Sequence, residues 1–358
     1  MFSAVLQCRR SRKGVKRERE REKRDTGTGS ACVMIDEGDE MEGEGVGVGH
    51  VMTAEEEAEA FKALYPSAWL VRALEGGEGG VRRNGRRCED SRSLGCAGGL
   101  GRAGTAAVSV GRTVVLAVCS LAVGEPRWDA SRGGRVEVQL EMPPLAADHV
   151  GRMASRGGGG DEGEGIAEGR RIIEAAVESM LPSTSRDSPG SSGGVEQLGI
   201  RDGESCWVVK LDCVCLAYDG AVVDAAVAAA GLALARLRLP DVSVTGDGEV
   251  QLVPVEDTGG MAARGRALSL ATRPVALTFG LFKGRFLLAD PDGDEARSCD
   301  SLVTCVADAN TGNLVALLHP GGEHLRPKLL VGIAEQASRH AVSQGRPLYE
   351  DASGNTLV

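Results

Sequence analysis

Aromatic side chains are scarce in this chain: three Trp, three Tyr and five Phe among 358 residues. A core without them must be assembled from Ala, Val and Leu, which bury less surface per residue. Long apolar runs are missing as well. No stretch reaches the ~20 residues that a membrane span requires. The best, 221–234, is short and is interrupted by Asp224. No C-x-x-C pair occurs among the ten cysteines, which excludes a zinc ribbon and a thioredoxin-like motif. Cys213 and Cys215 lie two apart in an apolar run, so they share one face of a strand and cannot close a normal disulfide with each other. No apolar segment of the secretory kind follows the N-terminal charges, so all ten thiols are expected to be reduced, most of them as small core residues. Glycine is in excess, with 51 residues. It has no period of three, which excludes collagen.

The net charge of −10 excludes a generally cationic nucleic-acid binder. Its distribution is uneven. Residues 9–24 carry ten basic and three acidic residues, whereas residues 36–59 carry ten acidic residues and neither Lys nor Arg. Residues 1–54 are therefore expected to be a disordered charged arm. The basic block reads equally as a nuclear-import or RNA-attracting arm and as a solvated tail. Its acidic residues argue against an organelle presequence.

Residues 55–74 predict a helix interrupted at Pro66. Residues 75–104 are Gly- and Arg-rich with little periodicity. Thr105–Val110 and Thr113–Val123 predict a hairpin around Gly111-Arg112, and Arg135–Met142 predicts another strand. A flexible loop at 157–165 precedes a helix over Ile166–Leu181 that stops at Pro182. Residues 183–199 read as a surface loop. Cys206–Ala217 is the strongest strand, with Trp207, Val209, Leu211, Cys213 and Cys215 on one face. An Ala-rich helix then runs to about Leu239. Residues 243–265 read as a linker. Val275–Phe282 pairs with Arg285–Ala289, and Ser301–Ala307 with Leu314–His319, as two further hairpins. Pro327–Val342 is the closing amphipathic helix. Hairpins and helices in this order predict an α+β fold of two units, 55–242 and 266–345, followed by a tail at 346–358.

Three motifs bear on chemistry. Gly99-Leu100-Gly101-Arg102-Ala103-Gly104 fits G-x-G-x-x-G, but a hairpin rather than a helix follows, so no helix N-terminus faces a pyrophosphate. None of the five histidines (His50, His149, His319, His324, His340) has a triad or elbow context. The acids Asp290, Asp292, Asp294, Glu295 and Asp300 read either as a Mg²⁺ or acid–base cluster or as a turn with solvated carboxylates. No metal ligand set and no cofactor is expected.

Several blocks resemble one family. The segment CWVVKLDCVCLAYDGAVVDAAVAAAGLALARLRLPDV at 206–242 resembles the RNase PH-like subunits of the eukaryotic RNA exosome ring. Arg83-Asn84-Gly85-Arg86 resembles the R-x-D-G-R motif, GTAAVSVGRTVVLAVC the first hairpin, EMPPLAADHV the V-x-L-P-P-L segment, and RPVALTFGLFKGRFLLADPDGDE the start of the second domain. Together these blocks span about residues 80–343.

The resemblance implies an RNase PH-like fold of two α+β units sharing one core. It further implies partnership with other RNase PH-like subunits and RNA-binding cap subunits in a ring with a central RNA channel, without a membrane. It implies a place in the nucleus, nucleolus and cytoplasm. Catalytic relatives degrade RNA from the 3′ end with phosphate as nucleophile, and carry A-D-G-G-T-R-T where this chain has the Tyr218–Asp224 stretch. Val222 and Val223 replace the Thr and Arg, and Asp224 adds a negative charge, so the phosphate site is expected to be degenerate. Asp294 and Asp300 keep the six-residue spacing of the acidic pair in active relatives. His149, Arg152 and Arg156 stand near the RNA-contacting loop and are the candidate RNA-binding residues, or else solvated basic residues. The expected function is that of a non-catalytic ring subunit supporting 3′-to-5′ RNA processing and decay. The alternative is an active phosphate-dependent exoribonuclease using Asp294 and Asp300.

Overall fold

A computed structural model describes residues 53–76, 81–82, 84–98, 103–126, 133–143, 162–182, 194–245, 250–252, 265–322 and 324–350. In chain order the elements are α1 (Ala54–Leu64), α2 (Pro66–Gly76), β1 (Leu94–Gly98), β2 (Thr105–Val110), β3 (Thr113–Gly124), β4 (Arg135–Glu141), α3 (Glu162–Met180), β5 (Gly199–Arg201), β6 (Ser205–Ala217), α4 (Val222–Ala235), β7 (Arg238–Leu239), β8 (Val242–Val244), β9 (Val250–Leu252), β10 (Arg266–Ala267), β11 (Pro274–Phe282), β12 (Phe286–Ala289), α5 (Gly293–Ser298), β13 (Ser301–Asp308), β14 (Leu314–Leu318), α6 (Pro327–His340) and α7 (Arg346–Tyr349).

The alternation of Trp207, Val209, Leu211, Cys213 and Cys215 makes β6 the axis of the first sheet, ordered β1-β2-β3-β6-β4 with β5 also on β6. β3 pairs β6 antiparallel, and β4 pairs it in parallel, with α3 in the crossover. The second sheet is ordered β12-β11-β13-β14. β11 is buried along its whole length, because α4 packs on one face of its sheet and α6 on the other.

Between the two sheets lies α4, whose residues from Asp224 to Ala235 are all buried. This explains its Ala-rich composition, since small side chains let β2, β3 and β11 approach its axis. At Gly231 the neighbour is α7, and a Cβ there would lie 1.9 Å from the Tyr349 hydroxyl. That hydroxyl is buried and donates to the Pro274 carbonyl (3.1 Å). One apolar cluster runs through Val108, Ala117, Val209, Val227, Val275 and Val306, so both halves share a core.

Several local expectations are corrected. β1, unread within the Gly/Arg-rich stretch, pairs all five of its residues with β2. Together β1 and β2 form a hairpin around the G-x-G-x-x-G segment, of which residues 99–102 lie outside the described residues. The Ala-rich helix stops at Ala235, and Arg238-Leu239 instead pairs with β10. α3 begins at Glu162, inside the expected 157–165 loop. The 183–199 loop holds a 3₁₀ turn at Gly194–Leu198 and the start of β5, and the 243–265 linker holds the β8–β9 hairpin. The closing helix passes into a π turn at Ala341–Gly345.

Candidate functional site

The turn Asp219-Gly220-Ala221 joins β6 to α4, with Gly220 at φ +79° and Ala221 at +51°. For alanine this left-handed geometry is strained, and surrounding contacts hold it. The Thr113 hydroxyl donates to the Gly220 carbonyl (2.5 Å) and accepts from the Asp219 N–H (2.7 Å). Arg92 donates to the Asp219 carbonyl (2.8 Å), and the exposed Arg112 donates to the Asp219 carboxylate (3.1 Å). A Cβ on Gly220 would lie 2.5 Å from the Pro291 carbonyl, so the 290–293 turn presses directly on this one.

The first turn of α4 does not offer the side chains an anion needs. Val222 and Val223 pack against the main apolar cluster. A Cβ on Gly169 of α3 would lie 3.3 Å from a methyl of Val223, so that valine fills the gap between α3 and α4. Asp224 corrects the expectation of a negative charge in the anion site, because its carboxylate points into the core. It accepts from the Thr278 N–H (2.8 Å) and the Thr278 hydroxyl (2.7 Å), and that hydroxyl also meets Thr304 (2.8 Å). Burial pushes the Asp224 carboxyl up to about 7, against the opposing effect of the Thr278 hydrogen bonds.

Two of the acids at 290–300 are buried rather than solvated. Asp290 and Glu295 are only 1% and 4% exposed. Arg92 donates to both oxygens of Asp290 (2.6 and 2.8 Å), and Arg86 donates to its Oδ2 (2.8 Å). Arg82, 2% exposed, reaches Glu295 (3.2 Å) and the carbonyls of Asp290, Cys88 and Ala289. Burial lowers the Arg82 pKa and raises that of Glu295, each partly opposed by its partner. For Arg92, burial works against the charge, but the Asp290 hydrogen bond and field win and hold it more firmly protonated. Asp292 caps α5, accepting from the N–H groups of Asp294 and Glu295, and Glu295 returns a bond to the Asp292 N–H (3.0 Å).

Asp294 is ion-paired with Arg297 on α5, whereas Asp300 is exposed and accepts from the Gly284 N–H (3.3 Å). His149, Arg152 and Arg156 lie outside the described residues. Among the described residues no group of three or more His, Cys, Asp or Glu could hold a metal ion. Burial pushes the thiols of Cys213, Cys299 and Cys305 up to about 12 and that of Cys215 to about 11, which leaves them neutral.

Of the arginines at the heart of this network, Arg86 stood in the quoted motif, whereas Arg82 and Arg92 were missed in the sequence. Arg82 opens the motif that continues to Gly85-Arg86, and its preceding position beside Arg83 was the available signal. Arg92 stood in no recognised pattern.

Comparison with known proteins agrees with this architecture. Residues 90–240 match the 3′ exoribonuclease family, domain 1, and residues 272–340 its domain 2. The Exosome complex component rrp45 of Schizosaccharomyces pombe is 30% identical over 269 residues, covering 74% of this chain and 83% of that protein. The Homo sapiens Exosome complex component RRP45 is 30% identical over 238 residues. There the match covers 66% of this chain and 48% of that protein, so the chain spans about half the length of this curated relative. Among solved structures, an archaeal exosome core chain shares the fold with a TM-score of 0.61 at 23% identity, covering 82% of this chain and 99% of that one. The chain belongs to the 3′ exoribonuclease family, with its RNase PH-like fold.

Proposed function

We propose that the chain is a non-catalytic structural and RNA-channel subunit of an exosome ring, supporting 3′-to-5′ RNA processing and degradation. Its partners in this reading are other RNase PH-like subunits, RNA-binding cap subunits and RNA in the channel. The family membership and the names of the curated relatives support the ring role. The observation that carries the loss of catalysis is Val223, spent as packing between α3 and α4 at the position of the phosphate-binding Arg in active relatives. A dianion there would meet methyl groups, and the exposed Arg112 beside the turn is already held by Asp219.

The 206–242 block reads most like ribosomal RNA-processing protein 43, also called exosome component 8. The relatives at about 30% identity carry the RRP45 name instead, which favours the RRP45 type of ring position. RNA contact by His149, Arg152 and Arg156, and residence in nucleus, nucleolus and cytoplasm, belong to the same reading.

A phosphate-dependent degradation assay on the purified full chain tests it. The expected result is no shortening of a 3′-labelled RNA in the presence of phosphate. Nucleoside diphosphate release that disappears in Asp300→Ala establishes the enzyme reading instead.

A further inference from the structure

Asparagine is rare in this chain, and of Asn84, Asn310, Asn313 and Asn355 only Asn84 precedes a glycine. It stands at the tip of a small hairpin. Val81 and Arg87 form an antiparallel bridge at the base, the Arg82 N–H donates to the Arg86 carbonyl (2.7 Å), and the Gly85 N–H donates to the Arg82 carbonyl (3.0 Å). Asn84 and Gly85 are both exposed. Gly85 takes φ +79°, and a Cβ there would meet nothing within 4 Å, so that side of the glycine is open.

The Asn84 Oδ1 accepts from the Arg86 N–H (3.2 Å). This bond draws electron density away from Asn84 Cγ and folds the amide back over the turn. Arg82, Arg83, Arg86 and Arg87 flank the pair in sequence, and their positive charge eases the loss of a proton from the Gly85 nitrogen. One contact works the other way. In the folded chain the Gly85 N–H is held by the Arg82 carbonyl, so any attack by that nitrogen waits for the hairpin to open.

We propose that Asn84 is a site of spontaneous deamidation, and that the hairpin fits the aspartate product but not its isoaspartate isomer. The deprotonated Gly85 nitrogen attacks Asn84 Cγ, the new C–N bond closes a succinimide ring, and the Cγ–Nδ2 bond breaks with release of ammonia. Water then opens the ring. Cleavage at Cγ leaves an aspartate, and cleavage at the original backbone carbonyl leaves a chain that runs through Cβ and Cγ. One water is consumed and one ammonia released, with no change of oxidation state. Aspartate keeps the acceptor for the Arg86 N–H and adds a charge that strengthens the bond. Isoaspartate adds a main-chain atom between Arg82 and Arg86. Their guanidinium groups are fixed on Glu295 and Asp290, so the hairpin has no slack to take up that atom.

The test ages the purified full chain in mildly alkaline buffer and follows it by peptide mapping. Mass spectrometry reads the replacement of the amide NH₂ by OH, and fragmentation at the backbone N–Cα bond separates aspartate from isoaspartate. Asn84 is expected to convert at least tenfold faster than Asn310 or Asn313, and faster again in urea, where the Gly85 N–H is released. Asn84→Asp is expected to unfold at a urea midpoint no lower than that of fresh wild type, whereas the isoaspartate form, isolated by chromatography, unfolds at a lower one. Conversion of Asn84 no faster than that of Asn310 overturns the site, and a rate unchanged by urea overturns the gating by the hairpin. An Asn84→Asp chain less stable than fresh wild type, or an isoaspartate form as stable as it, overturns the fit assigned to the two products.

Discussion

Asp224 on α4 completes the hydrogen bonding of Thr278 on β11. β12 ends at Ala289, opposite Phe279, and the Asp290 N–H still reaches the Thr278 carbonyl (2.7 Å). The Thr278 N–H finds no strand partner beyond that point and takes the Asp224 carboxylate instead. A helix side chain thereby ends the ladder that a strand residue would otherwise continue, which satisfies a buried backbone donor.

Because burial raises the Asp224 pKa to about 7, the folded chain binds this proton more tightly than the unfolded chain does. Its contribution to stability is therefore full at low pH and is lost as pH rises towards about 7. His340, lowered by burial, works in the opposite sense, so the comparison must be with a variant. Asp224→Asn can accept from the Thr278 N–H and donate to its hydroxyl. Relative to that variant, wild type is expected to lose about 2–3 kcal/mol between pH 5 and pH 8. Urea midpoints at the two pH values measure it, and parallel profiles for the two proteins would falsify the assignment.

Arg82→Ala should cost about 3–5 kcal/mol, because it removes the buried cation that Glu295 and the carbonyls of Asp290, Cys88, Asp90 and Ala289 share. Arg112→Ala, at an 86% exposed side chain, should stay within about 0.5 kcal/mol. Equilibrium unfolding of the two variants side by side is the measurement. Equal effects would mean that the buried arginine network does not hold the two turns together.

Val223→Arg restores the residue type of active relatives but should restore no activity. The new side chain enters a gap already closed by Gly169 and the core, and overpacking of this kind costs about 1–3 kcal/mol. A thermal melt should show the loss, and a phosphorolysis assay should stay blank. RNA shortening by this variant would show that the site is one substitution from function.

The legible parts of the fold were those where local pattern and tertiary environment agree. Period-two alternation found β6, and an unbroken apolar run found β11. β1 was hidden because Leu-Gly-Cys-Ala-Gly has no periodicity of its own and is a strand only through pairing with β2. Neither sequence reading of Asp290 and Glu295, as a Mg²⁺ or acid–base cluster or as a turn with solvated acids, placed them in an arginine network, because their arginine partners lie about 200 residues earlier, a separation that no local window spans. Asp224 had a readable signal. A lone carboxylate in a helix of Ala, Val and Leu implies a buried partner, since all faces of such a helix are covered.

The placement of Tyr349 against Gly231 has a consequence for synthesis. The ribosome delivers Arg82 208 residues before Asp290, roughly 10–40 s ahead at ordinary elongation rates. Tyr349, which packs against Gly231 and bonds the Pro274 carbonyl, is made only after both. The nascent first sheet and the apolar α4 therefore wait, unsealed on one side, for the last described turn to arrive. Chaperone occupancy on the emerging polypeptide should be greatest over that interval and fall once Tyr349 has cleared the exit tunnel.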